Sequence, residues 1–237
     1  MSSKSTLATA EVVGKQALSD FAYQKTDIAD NVFEGKPLGS RNYKRMKGLL
    51  MQRVSPTRYV HCLSVAKTAR KIARAYDLDT HKARMAGLLH DWDKALLPER
   101  LRDRVNDYHL DFDEDVIADM PWVLHGPTAA AVLADQFPEL GEDVFHAIAH
   151  HTIPSTDMSE LDMIVFMADK LEPTHDVAVY KRLSKQIGVI PLKELFFEVQ
   201  KAGLIYLIEA NRPMNVQTIK AWNYYLKDQP KNKEKSK

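Results

Sequence analysis

Arg84-Met-Ala-Gly-Leu-Leu-His-Asp-Trp-Asp-Lys94 is the stretch on which the fold and the chemistry of this chain both turn. It reads as the last turns of an apolar helix that end in His90 and Asp91, with Lys94 close behind. Small residues at Ala83, Ala86 and Gly87 would let a second helix approach closely. An imidazole and a carboxylate at the end of a buried helix are costly to desolvate unless something positive binds them. A metal ion is the expected partner, with other histidines supplying the remaining ligands.

Outward from this stretch the pattern stays helical. The preceding segment opens with Ser55-Pro56, an N-cap followed by proline at the first helical position. His61, Val65, Ala69, Ile72 and Tyr76 then recur at steps of three and four on one face. Lys67, Arg70, Lys71 and Arg74 lie opposite and read as solvated. Before it, Asn42–Val54 reads as a short basic helix. After it come segments over 98–108, 113–120, 125–137, 142–151, 159–171, 176–187, 191–210 and 215–226. Pro121, Pro138, Gly141 and Pro173 punctuate them. No stretch shows strand alternation with hairpin turns, and no repeat or low-complexity tract is present. The expected fold is all-α, a single helical-bundle domain over 42–228. A partly ordered N-terminal extension (1–41, with a helix over Ala8–Ala22) precedes it, and a charged tail without fixed structure (229–237) follows.

The composition is that of an ordinary globular chain, with 45% apolar and 27% charged residues among 237. A net charge of +1 gives no general attraction to nucleic acid or to a membrane surface. No apolar run approaches the roughly 20 residues that span a bilayer, and no signal region opens the chain. The single cysteine, Cys62, excludes an internal disulfide and suits a reducing compartment. A cytoplasmic protein is expected, without nucleic-acid or membrane partners, and a homodimer is compatible with it.

Six residues form the candidate constellation: His61, His90, Asp91, His125, His151 and Asp169. Each sits in or beside an apolar helical segment. Nitrogen donors mixed with carboxylates suit divalent transition metals better than calcium or a structural zinc. Six donors exceed what one tetrahedral ion needs, so two ions sharing a carboxylate are expected, with Asp91 as the bridge. His81, His109, His146 and His175 read as ordinary hydrogen-bonded histidines, and Cys62 as a packing residue.

The pieces Arg58-Tyr-Val-His61, His90-Asp-Trp-Asp-Lys94, His125-Gly-Pro127, Ala147-Ile-Ala-His-His-Thr152 and Ala168-Asp-Lys-Leu-Glu-Pro173 occur in an order that resembles the metal signature of the HD superfamily of phosphohydrolases. The closer resemblance is to its YqeK-like branch, the symmetrical bis(5'-nucleosyl)-tetraphosphatases, which cut diadenosine tetraphosphate into two ADP. The resemblance implies a helical fold with a dinuclear centre, usually iron, with manganese, cobalt or magnesium as alternatives. One ion would take His61, His90, Asp91 and Asp169. The other would take His125 and His151, with Asp91 bridging. His150 stands where the family commonly has an aromatic residue and is left out, although its spacing from His146 permits a rival metal pair.

Two such ions acidify a bound water and offset phosphate charge, so no serine or cysteine nucleophile is required. Asp91 and Lys94 are the expected catalytic residues. Lys94 and Arg58 are the expected substrate contacts, against alternatives of a helix-end cation and a surface salt bridge. Asp93 is expected to be exposed, as are Arg100, Arg102 and Arg104, while Thr152 and Glu172 are candidates for supporting the ligands. The chain departs from the family at Ile153-Pro154-Ser155 and at Thr174-His175, both on the substrate side. The alternatives are an HD hydrolase of another nucleotide or phosphate ester, and a non-catalytic nucleotide sensor. Retention of all six donors favours an enzyme.

Overall fold

The computed structural model describes residue 33 and residues 35–228. The helix expected over Ala8–Ala22 and the charged tail lie outside the described residues. Within them the chain forms α1 (Ser40–Arg53), α2 (Pro56–Ala75), α3 (Thr80–Leu89), α4 (Pro98–Asp107), α5 (Glu114–Asp119) and α6 (His125–Gln136). It continues through α7 (Glu142–Ala149), α8 (Glu160–Leu171), α9 (Ala178–Ser184), α10 (Leu192–Glu209) and α11 (Val216–Leu226). Single 3-10 turns occupy Pro121–Val123 and Pro138–Leu140, and no strand occurs among the described residues.

Side-chain caps start several of these helices where the sequence places them. The Ser55 hydroxyl accepts from the Arg58 amide, and Asp79 accepts from the amides of His81 and Lys82. Ser159 and Asp162 satisfy each other's backbone amides as a capping box. Several helices are shorter than expected. The one expected over 80–91 ends at Leu89, because Trp92, Lys94 and Leu96 bond back three residues, to Leu89, Asp91 and Asp93, as successive tight turns. The one expected over 142–151 ends at Ala149, and that over 176–187 narrows to Ala178–Ser184.

Helix α2 runs between two cores. Its Cys62 and Ala66 pack with Met85, Leu88 and Leu89 of α3 and with apolar residues of α1, α6 and α7. Its Val65, Ala69 and Ile72 join Met163, Phe166 and Met167 of α8 and Phe196 and Val199 of α10. A smaller cluster gathers α4, α5 and the 120–124 turn. Helices α2 and α3 meet at Gly87, where an added Cβ would lie 3.1 Å from Ala66 Cα, 3.1 Å from Ala69 Cβ and 3.2 Å from the Val65 carbonyl oxygen. These atoms are backbone or its first side-chain carbon, so relief requires the helices to separate. Gly87→Ala is therefore expected to destabilise by about 1–2 kcal/mol, overpacking of about 1–3 kcal/mol outweighing a propensity gain of about 1 kcal/mol or less. A lower urea midpoint at unchanged slope is the expected result. An equal or higher midpoint would show that the contact is not tight.

Candidate metal centre

All six residues singled out in the sequence converge, although 108 positions separate His61 from Asp169. Five of them stand at or near helix ends. His90 and Asp91 follow α3, His125 begins α6, His151 lies two residues past α7, and Asp169 sits in the last turn of α8. Only His61 comes from well within a helix, α2.

The donors divide into two groups around Asp91. On one side, His61 Nε2 lies 3.3 Å from His90 Nε2, 3.2 Å from Asp169 Oδ1 and 3.6 Å from Asp91 Oδ2. His90 Nε2 lies 3.3 Å from Asp91 Oδ2 and 3.6 Å from Asp169 Oδ1. On the other side, Asp91 Oδ1 lies 3.1 Å from His125 Nε2 and 3.7 Å from His151 Nε2, and those two nitrogens are 3.0 Å apart. One carboxylate thus offers a different oxygen to each group.

The outer nitrogens explain why the inner ones point inward. His90 Nδ1 donates to the Gly87 carbonyl at 2.9 Å, His125 Nδ1 to that of Trp122 at 2.7 Å, and His151 Nδ1 to that of Ile148 at 2.7 Å. A carbonyl can only accept, so Nδ1 holds the proton and a neutral ring turns an Nε2 lone pair to the centre. His61 Nδ1 is held 3.2 Å from the buried Glu172 carboxylate. Lone pairs facing each other at 3.0 and 3.3 Å repel unless a cation lies between them, which is what a metal site supplies. The donor set therefore fits divalent metal ions, and the two groups His61/His90/Asp169 and Asp91/His125/His151 each have metal-ligand spacing.

The electrostatics point the same way. Burial lowers His90, but Asp91 and Asp169 more than reverse this and raise it to about 10, so without a cation Nε2 holds a proton that a metal ion would displace. Burial drives His151 down to about 4, so its Nε2 stays unprotonated. Burial also raises Asp91 and Asp169, yet His90 beside the first and Lys170 beside the second hold both well below the usual carboxylate range. Two ionised carboxylates thus stand inside a ring of imidazoles, a field that attracts a cation.

Around this centre, Arg58 pairs with Asp91 Oδ2 at 2.8 Å while 37% of its side chain stays exposed. Lys94 Nζ lies 3.4 Å from His125 Nε2. Thr152 Oγ1 lies 3.0 Å from His151 Nε2, and Glu172 also accepts from the Thr174 amide. Cys62 lies nearer than a packing residue need be, its sulfur within 4.8 Å of donor atoms of His90 and Asp91. Burial and the Asp91 charge push its thiol well above the ordinary value, so it remains protonated. His175 is also close, its ring 5.8 Å from that of His61. His146 pairs with Asp162 at 2.8 Å and stacks on His150 at 4.1 Å, and no metal-spaced group among the described residues includes either.

Asp93 and Arg104 are not exposed, contrary to expectation. Asp93 is fully buried and takes Arg104 Nη1 on both oxygens at 2.7 and 2.6 Å, with Arg53 Nη2 3.4 Å away. Arg104 shares the inward face of α4 with Leu101 and Val105, a three-and-four spacing that its charged neighbours obscure. Arg100 does pair at the surface with Asp103, while Arg102 donates to the Ile117 and Ala118 carbonyls of α5. Lys170 received no role from its sequence position. Its ammonium lies 3.5 Å from Asp169, 3.4 Å from the His151 carbonyl and 3.9 Å over the Phe166 ring, and burial lowers its pKa.

Comparison with known proteins adds a family to this geometry. Residues 58–174 match the model of the HD domain. A protein of Staphylococcus aureus named as a symmetrical bis(5'-nucleosyl)-tetraphosphatase is 31% identical over 185 residues, covering 78% of this chain and 94% of that protein. A Mycoplasma genitalium protein named as a probable nicotinate-nucleotide adenylyltransferase/Ap4A hydrolase is 38% identical over 58% of this chain and 39% of its own length. The crystal structure of a predicted HD superfamily hydrolase from Clostridium acetobutylicum, described as involved in NAD metabolism, superposes with a TM-score of 0.73 at 29% identity. That match covers 79% of this chain and 98% of the other.

Proposed function

The chain belongs to the HD-domain family, on its symmetrical bis(5'-nucleosyl)-tetraphosphatase branch, and from that membership we propose that it hydrolyses diadenosine tetraphosphate symmetrically into two molecules of ADP. The observation that carries this reading is Asp91, whose two oxygens face two separate sets of imidazoles at 3.1–3.7 Å. We assign His61, His90, Asp91 and Asp169 to one divalent ion, and Asp91, His125 and His151 to a second. Iron is the proposed native metal, with manganese, cobalt or magnesium able to substitute. When bound, the pair supplies an acidified water and the positive charge that phosphoanhydride cleavage needs.

The chain's own groups do the rest. Glu172 and the Gly87, Trp122 and Ile148 carbonyls fix the four imidazoles in one tautomer. Lys94, exposed beside His125, offsets phosphate charge as it builds up. Arg58 pairs with Asp91 at 2.8 Å and offers the exposed part of its guanidinium to a phosphate oxygen. Cleavage at the middle of the tetraphosphate expels ADP through its β-phosphate, which becomes a terminal phosphate as it leaves. Its second pKa is about 6, so it leaves at neutral pH without a proton donor.

Residues 42–228 are taken as the catalytic unit, acting in the cytoplasm where Cys62 stays reduced. No helix among the described residues is long and apolar enough to cross a membrane. A homodimer is proposed as the assembly, with exposed Ile205, Ile208, Val216 and Leu226 on α10 and α11 as apolar surface available to it. Product analysis tests the reaction. Metal-loaded protein incubated with diadenosine tetraphosphate is expected to release ADP alone. AMP and ATP in equal amounts would overturn symmetrical cleavage, and no product with any of the four metals would overturn hydrolysis of this substrate.

A further inference from the structure

We infer that the cavity between α8, α9 and α10 is the subsite for one nucleobase of the substrate, and that the Gln200 side chain reads the edge of that base. This rests on the proposed hydrolysis for the identity of the substrate and on the structure for the place. The cavity has a volume of about 430 Å³, within the range of ordinary small-molecule pockets. Asp169, Lys170 and Thr152 line it on one side, so it reaches the metal centre. A nucleotide with its phosphates at the centre has its nucleoside within reach of this cavity.

The walls suit a flat aromatic group. Trp122 and Tyr180 line the cavity, and Trp122 is half exposed, a large apolar surface left uncovered beside a charged site. Gly203 on α10 faces the same space. An added Cβ there would meet only Tyr180 Oη, at 3.7 Å, so the absence of a side chain leaves room rather than relieving a clash.

Gln200 supplies the polar signal. It lines the cavity and is 2% exposed, yet neither its Oε1 nor its Nε2 finds a hydrogen-bond partner among the described residues. Leaving a buried amide unmade costs about 1–3 kcal/mol, and removing that cost on binding favours a ligand that matches it. A carboxamide presents an acceptor beside a donor. Adenine presents the complement, its N6 amino group beside a ring nitrogen, which is how glutamine and asparagine pair with that base elsewhere.

Titration of the metal-loaded full chain with ADP and with inorganic pyrophosphate tests the subsite apart from turnover. Gln200→Leu removes the polar group at similar volume, a change that costs little in a folded chain because the amide has no partner to abandon. Gly203→Leu fills the cavity from its wall and keeps the Gln200 amide in the chain. Both are expected to weaken ADP by roughly tenfold or more and to leave pyrophosphate within about twofold. Unchanged ADP affinity in either variant would overturn the assignment, as would an equal loss for ADP and pyrophosphate. The two proposals also fail separately. ADP binding that depends on Gln200, without release of ADP from diadenosine tetraphosphate, would keep the subsite and sink the hydrolysis. Symmetrical hydrolysis with ADP affinity untouched in both variants would do the reverse.

Discussion

Asp91→Ala is expected to lower diadenosine tetraphosphate turnover by on the order of 10³-fold or more and to leave less than one tightly held metal ion per chain in place of two. Losing one preorganised stabilising group alone costs on the order of 10²–10³ in rate, and Asp91 serves both donor groups at once. Its Oδ1 and Oδ2 together lie within 3.7 Å of four imidazole nitrogens. Arg58 would also lose its 2.8 Å partner and become an unopposed positive charge beside the site. Metal content by plasma mass spectrometry and product release by chromatography are read on the same preparation. Retained turnover would overturn the assignment of the centre. Two ions retained with turnover lost would mean that Asp91 acts on the reaction without bridging.

Asp93→Ala is expected to destabilise the fold by about 3–5 kcal/mol, the range for removing one partner of a buried charge pair. The groups that lose this carboxylate are Arg104, 5% exposed, and Arg53, whose guanidinium also lies 4.3 Å over the Trp92 ring. Burial already lowers Arg53 to about 10 despite the Asp93 charge, so Asp93 is the group that keeps it comfortably ionised. The damage reaches the metal centre as well. Asp93 is one residue from Lys94 and two from Asp91, within the tight turns that set both side chains. Metal retention should fall together with the unfolding midpoint. A midpoint shift equivalent to less than about 1 kcal/mol would show that solvent or rearrangement replaces the carboxylate at little cost.

Much of this was legible in the sequence because its signals are local. Ser55-Pro56 marks a helix start through a bond that spans three residues, and each of the eleven helices among the described residues has a counterpart in the sequence pattern. The six donors were legible as a set because each stands in or beside an apolar helix. What stayed hidden depends on partners far along the chain. Asp93 is buried by Arg53, forty positions away on α1, and by Arg104 on a helix whose alternating charges resemble a solvated face. Lys170 follows a ligand directly, and nothing in the dipeptide says that its ammonium turns back over Phe166. Gln200 sits among Leu195, Phe196, Val199 and Ala202, where one amide in an apolar stripe attracts no notice until its lack of partners is seen.

In His90, His125 and His151 the outer ring nitrogen is bonded to the carbonyl three residues earlier in its own segment. Each of these imidazoles is therefore oriented by a four-residue piece of chain, whatever packs around it. A side chain already held in its binding rotamer escapes an ordering cost of about 0.5–1.5 kcal/mol when the ligand arrives. Three such side chains together correspond to a gain of roughly tenfold to a few thousandfold in affinity for the ion. Metal uptake by this chain should thus resemble filling a rigid chelator, with His61, held by a glutamate 111 positions away, as the arm whose setting waits on completion of the fold.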